Sequence, residues 1–188
     1  MNATPKILAA LLACGALSPA AAQSLGNIVD AANFSIDSAS PLVYAIGGSS
    51  KQRLAQTLTV ENSGNLAGVF VPVGCGDGRL IVEIHDVVSG QPGPTILDSR
   101  TAAPTAFAFS ARFTYVPIPG SLPLTAGQQI AIVLDNKRGT CSLTPSPVSV
   151  NYAGGKAYFE ALPNPPGWVA FSDFANTPDD IPFQLVLE

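Results

Sequence analysis

The run Arg79-Leu-Ile-Val-Glu-Ile-His-Asp-Val87 has a period of two. Successive side chains on an extended strand point to opposite faces, so Leu80, Val82 and Ile84 share one face and Ile81, Glu83 and His85 the other. The wholly apolar set is expected to point inward, and Glu83 with His85 to lie on a solvated outer face. Upstream, Gln52-Arg-Leu-Ala-Gln-Thr-Leu-Thr-Val60 alternates in the same way and stops at Asn62-Ser-Gly64. Leu66 to Val73 follows, and Pro72, which has no N–H to give to a ladder, marks an edge position or a bulge. Downstream, Thr95–Thr101, Phe107–Ile118, Gln128–Leu134, Lys156–Leu162, Trp168–Phe171 and Pro182–Leu187 are further short apolar runs separated by turn residues. Ser89-Gly-Gln-Pro-Gly-Pro94 is read as a loop, because its prolines remove ladder donors and its glycines favour turns.

Eight or nine strands with no ten-residue amphipathic segment between them exclude an alternating β-α-β chain and predict an all-β, two-sheet antiparallel sandwich. The number of strands and the length favour a jelly roll over a seven-stranded immunoglobulin-type sandwich. The 188 residues are 47% hydrophobic and only 12% charged, with 17 Gly and 17 Pro that punctuate the chain too often for long helices. Nine basic residues against 13 acidic ones leave no basic stripe for phosphates, which excludes nucleic acid as a partner.

Residues 1–22 read as a secretory signal peptide: Lys6 supplies the positive region, Ile7 to Leu17 the apolar one, and Ala20-Ala21-Ala22 the small-residue cleavage site. The apolar stretch is shorter than the roughly 20 residues of a membrane-spanning helix, so no transmembrane segment is expected. A competing reading takes Leu11-Leu12-Ala13-Cys14 as a lipoprotein box, but Leu12 fits it poorly and the apolar region would be too short. Lys6 is the only charged residue in the segment, so its removal turns the net charge of −4 into −5. It also removes Cys14, leaving Cys75 and Cys141, an even count that suggests one disulfide in an exported chain. Two free buried thiols are the alternative, and neither Cys has a partner at metal-ligand spacing. Residues 23–50 form a weakly periodic wrapping segment with a short strand around Leu42–Ile46, and residues 51–188 the sandwich domain.

Several strings taken in order carry a resemblance: Ala55-Gln-Thr-Leu-Thr-Val60, Leu66-Ala-Gly-Val69, Gly78-Arg-Leu-Ile-Val-Glu-Ile84, Gly93-Pro-Thr-Ile-Leu97, Leu124 to Leu134, Tyr152 to Tyr158 and Asp180-Ile-Pro-Phe183. The chain over these residues resembles bacterial extracellular jelly-roll domains of the carbohydrate-binding-module and galactose-binding-like kind. The resemblance implies a fold and an exported location rather than a defined ligand. It also raises a structural calcium, for which Asp173, Asp179 and Asp180 are the candidates, although no Asp-x-Asp-x-Asp-Gly loop is present. Asn33-Phe34-Ser35 has the form of an N-glycosylation acceptor and is read as incidental in an exported bacterial chain.

Trp168, the single tryptophan, follows the rigid Pro163-Asn-Pro-Pro-Gly167 and has Tyr158, Phe159, Phe171 and Phe174 near it in sequence. Such a ring can stack on the apolar face of a sugar or on a partner's side chain, with Tyr158 as a second contact. The structural alternative is that Trp168 begins a strand and packs inward with Val169 and Phe171. Catalysis has little to draw on. His85 is the one histidine, its pairing with Glu83 is readily a solvated strand face, and no Gly-x-Ser-x-Gly elbow occurs beyond the leader. The acids Glu160, Asp173, Asp179 and Asp180 are the dense acidic region; a glycosidase pair needs its carboxyl groups about 5–9 Å apart, a separation that sequence does not show, and they are read as ordinary loop acids. The expectation is therefore a secreted, non-enzymatic module recognising a carbohydrate or an extracellular surface, without cofactor. A structural, matrix-type protein associating through sheet edges or surface patches is the alternative, and a hydrolase on the same scaffold is a weaker one.

Overall fold

The computed structural model describes residues 28–39, 43–76, 78–102, 112–120, 122–163, 167–174 and 176–188. The leader 1–22, with the lipidation alternative at Cys14, lies outside the described residues, as do 107–111 of one expected strand and 164–166 of the Pro-framed loop. The described chain is all-β apart from one 3-10 turn at Phe171–Asp173, and no described helix is long and apolar enough to cross a membrane. Its strands are β1 (Ile28–Asn33), β2 (Tyr44–Gly47), β3 (Arg53–Thr59), β4 (Gly64–Val71), β5 (Val73–Cys75), β6 (Leu80–Val88), β7 (Gln91–Thr101), β8 (Thr114–Pro117), β9 (Pro123–Leu124), β10 (Gln129–Asn136), β11 (Thr140–Leu143), β12 (Ala157–Glu160), β13 (Val169–Ala170) and β14 (Phe183–Leu187).

These fourteen exceed the eight or nine expected because several are pieces of two to four residues, too short to show a period. All pairings are antiparallel. One sheet runs β1-β14-β4-β8 with β9 beside β4, a second runs β13-β12-β3-β10-β6-β7, and a third, small one runs β2-β11-β5. Leu54 and Leu58 of β3, Val82 and Ile84 of β6, and Ile130, Ile132 and Leu134 of β10 share one buried core with Val69 and Val71 of β4 and Phe183, Leu185 and Leu187 of β14. The two larger sheets thus face each other in a sandwich-like arrangement, with alternate residues of each strand inward. Pro72 sits where the chain leaves the first sheet at Val71 and enters the third at Val73, a point that needs no ladder donor.

Three expectations are corrected. Ser89 to Pro94 is not one loop. Ser89 (φ +53°) and Gly90 (φ +80°) alone make a two-residue hairpin turn, and β7 begins at Gln91. Both central residues have positive φ, the geometry that matches strand twist in a tight hairpin. Pro92 and Pro94 are tolerated because β7 is an edge strand. The described part of 23–50 holds the short strand expected around Leu42–Ile46, as β2 paired with β11, but it is more than a wrapping segment, since it also supplies β1, paired with β14. A register shift between Val29 and Ala32 breaks the period of two in β1, which hid it from the sequence.

The third correction concerns Glu83 and His85. Leu80, Val82 and Ile84 do point into the core, but Glu83 and His85 are buried as well, only 8% and 5% exposed. Register shifts at Ile84/His85 and His85/Val87 bend the β6–β7 hairpin, and β7 comes close to β10 and β3 as well as to β6. The hairpin therefore curls over the outer face of its own sheet. There Ala55, Ala131 and Val133 leave space for Tyr158, whose hydroxyl donates to the Gly90 carbonyl at 2.9 Å.

The disulfide joins Cys75 of β5 to Cys141 of β11, which are direct cross-strand partners. A buried polar clamp ties the two large sheets. Gln56, inward on β3, donates from Nε2 to Asp180 Oδ1 at 2.8 Å, and its Oε1 accepts the Ile181 N–H at 2.9 Å. Asp180 Oδ2 accepts the Tyr152 N–H at 2.6 Å. At the β3–β4 turn, buried Asp30 accepts the backbone N–H groups of Glu61 and Asn62. Asn33 is likewise buried and its side-chain amide donates to Ser146 Oγ, so the acceptor-like tripeptide serves packing.

Candidate functional site

Arg53 opens β3 and Glu160 closes β12, and the register places them directly opposite each other. Opposed charges at such a pair attract across the ladder. The Arg53 guanidinium donates to Glu160 Oε2 through Nε at 3.0 Å and also through Nη2. The other oxygen, Oε1, accepts the Gly167 N–H at 3.0 Å, which anchors the start of the segment carrying Trp168. The guanidinium carbon stands 5.0 Å from the centre of the Trp168 ring, within cation–π range. Burial acts to raise the Glu160 carboxyl, but the bonds from Arg53 and Gly167 and the Arg53 charge outweigh it and hold the group below its ordinary 4.5.

This pair lies in the wall of an open cleft of about 1050 Å³ at one end of the six-stranded sheet. The remaining wall comes from the turn after β2 (Gly48, Lys51), the end of β10 and its turn (Asp135, Asn136, Lys137, Gly139, Thr140), and the end of β12 (Ala161, Leu162). The walls are bonded to one another: Gly48 N–H donates to Gly139 O at 3.1 Å and Leu162 N–H to Ser50 O at 2.8 Å. Asn136, 5% exposed, is the internal brace. Its Oδ1 accepts the N–H groups of Arg79 and Arg138, and its Nδ2 reaches the Ile46 carbonyl at 3.4 Å. Gly47 turns beside it with φ +85°, and a Cβ there would stand 2.8 Å from the Asn136 carbonyl oxygen, so only glycine fits. The cleft is thus preformed, with charged side chains, backbone of small residues and the aliphatic Leu162 on its surface.

The residues singled out from the sequence fall in different places. Trp168 is half-buried: it packs against the cluster of Ala55, Ala131, Val133 and Tyr158, and it borders the cleft through Arg53 rather than lining it. Tyr158 is 6% exposed and its hydroxyl is engaged, so burial removes it from the set of ligand contacts. Asp173 is exposed on the 3-10 turn, Asp179 is half-buried, and Asp180 is fully buried with Gln56 and the Tyr152 N–H on its oxygens. Among the described residues no three His, Cys, Asp or Glu side chains come together to hold a metal ion. His85 has Nδ1 2.8 Å from the Gly93 carbonyl and Nε2 2.9 Å from Glu83 Oε2, so both ring nitrogens are engaged inside the covered face.

Sequence reasoning missed Lys51, Arg53, Asn136 and Lys137. One signal was present: Asp135-Asn-Lys-Arg-Gly139 is a charged turn in a chain with nine basic residues in all. The pairing of Arg53 with Glu160, 107 positions away, left no trace in local pattern. No known family model matches the chain, and no curated protein matches it in sequence.

Proposed function

We propose that this chain is a secreted, non-enzymatic module on a jelly-roll-type sandwich, and that it binds a carbohydrate of the extracellular environment in the cleft beside Trp168. The preformed cleft carries this reading. Its size is that of a small-ligand or oligosaccharide site, and its polar groups converge from four segments that hydrogen-bond to each other. Sugars need such a wall, because their hydroxyl groups must exchange water for fixed donors and acceptors while their C–H faces rest on apolar surface. The disulfide suits an oxidising compartment and so agrees with export.

In this reading Trp168 positions Arg53, holding the guanidinium flat while Glu160 fixes its direction. Trp168→Ala is expected to weaken polysaccharide binding about threefold to fivefold, the worth of a half-exposed cation–π contact, with the near-native circular dichroism retained. A polysaccharide pull-down followed by titration reads this. Unchanged affinity in the variant would remove Trp168 from the site, and a wild-type protein that retains no polysaccharide would overturn the reading.

A second reading has its own observation. Ile28 and Val29 of β1, an edge strand among the described residues, are 44% and 48% exposed, an apolar edge of the kind that pairs with other chains. Concentration-dependent assembly without ligand would favour this structural, matrix-type role.

A further inference from the structure

We propose that the cleft selects a carboxylate-bearing polysaccharide, a polyuronate. This rests on the reading of the cleft as a glycan site and adds the chemical class of the glycan. The chain is acidic overall, with net charge −4, yet five of its nine basic residues gather at this end. Lys51, Arg53 and Lys137 line the cleft. Arg79 and Arg138 flank it, since their backbone N–H groups donate to Asn136 Oδ1 at 3.0 and 3.2 Å, and both residues are exposed.

The two carboxylates in the wall are already engaged. Glu160 is held by Arg53 and Gly167, and Asp135 accepts the N–H of Asn136 at 2.6 Å. Lys51 and Lys137 are exposed and, among the described residues, take part in no ion pair. The lining therefore carries three cations against two carboxylates, one positive charge in excess, with Arg79 and Arg138 beside it, on a chain whose net charge is −4. A neutral glycan gains nothing from those charges. A polyuronate offers one carboxylate per sugar unit to the exposed Lys51 and Lys137 ammonium groups, and its rings can lie against Leu162 and the glycine backbone. Arg53, fixed by Glu160 and Trp168, supplies oriented N–H donors without needing to leave its partner.

The test compares binding of the whole chain to polygalacturonate and to dextran, a neutral polymer, with wild type and a Lys51→Asn/Lys137→Gln variant. Asn suits position 51, where φ is +48°. Wild type should prefer polygalacturonate by at least about tenfold, and salt near 0.5 M should erase most of that preference because exposed charges are screened. The double variant should lose about tenfold in affinity for polygalacturonate, a few-fold for each exposed charge, with an unchanged melting temperature. Equal binding of both polymers, or a double variant that binds polygalacturonate as wild type does, overturns the charge selection and leaves glycan binding standing. Retention of neither polymer overturns both.

Discussion

Replacing Cys75 and Cys141 together by alanine is expected to lower the unfolding free energy by about 4 kcal/mol. The bridge closes a loop with a sequence separation of 66, and a loop of that length removes roughly this much chain entropy from the unfolded state. That loop contains β6, β7, β8, β9 and β10, so the bridge holds the third sheet to the end of the strands that build the cleft. Both cysteines are buried, at 3% and 0% exposure, and alanine avoids placing an unpaired hydroxyl there. For a chain of this size the melting temperature should fall by about 10 °C. Calorimetry of the variant, and of wild type with and without reductant, measures the loss. A melting temperature unmoved by reduction would mean that the sheet pairing alone fixes this region.

Breaking the Gln56–Asp180 clamp is expected to cost about 3 kcal/mol. In Gln56→Leu the Ile181 N–H loses its acceptor and Asp180 loses a donor, both in the interior. In Asp180→Ala the Tyr152 N–H loses its acceptor and the Gln56 amide keeps only the Thr57 carbonyl. The two single variants share one network, so the double variant should cost clearly less than their sum. Asp180 adds a pH signature. Burial raises its carboxyl above the ordinary 3.8, and the bonds from Tyr152 and Gln56 offset this only in part. The native state therefore holds this proton more tightly than the unfolded chain, and stability from this group falls as pH rises from 3.8 through the raised folded value. Urea titrations from pH 3 upward should show the gap between wild type and Asp180→Ala narrowing across that window. A gap that widens with pH would show that the carboxylate, not the acid, is the form the fold favours.

The alternation in residues 79–87 correctly placed Leu80, Val82 and Ile84 in the core, because an inward face needs only local period to be seen. The burial of Glu83 and His85 was not legible. It follows from two register shifts that curl a hairpin back onto its sheet, and from small residues at 55 and 131 on two other strands. Pro92 and Pro94 read as loop because a proline's local meaning changes at an edge, and edge position is a property of the whole sheet. Strands β2, β5 and β11 have three or four residues each and make a sheet only together, although cysteine parity already pointed to the bridge between two of them. The candidate site was legible only near Trp168. Its cleft is assembled from ends of β2, β3, β10 and β12, and such convergence is created by topology rather than by any one segment.

Backbone amide shifts of the full chain during titration with a soluble oligosaccharide retained by the protein test the central claim most directly. Binding in the cleft predicts the largest changes at Gly48, Lys51, Lys137, Gly139 and Thr140, with Ile28 and Val29 on the edge strand unmoved. Changes confined to β1, or spread evenly over the surface, would contradict it.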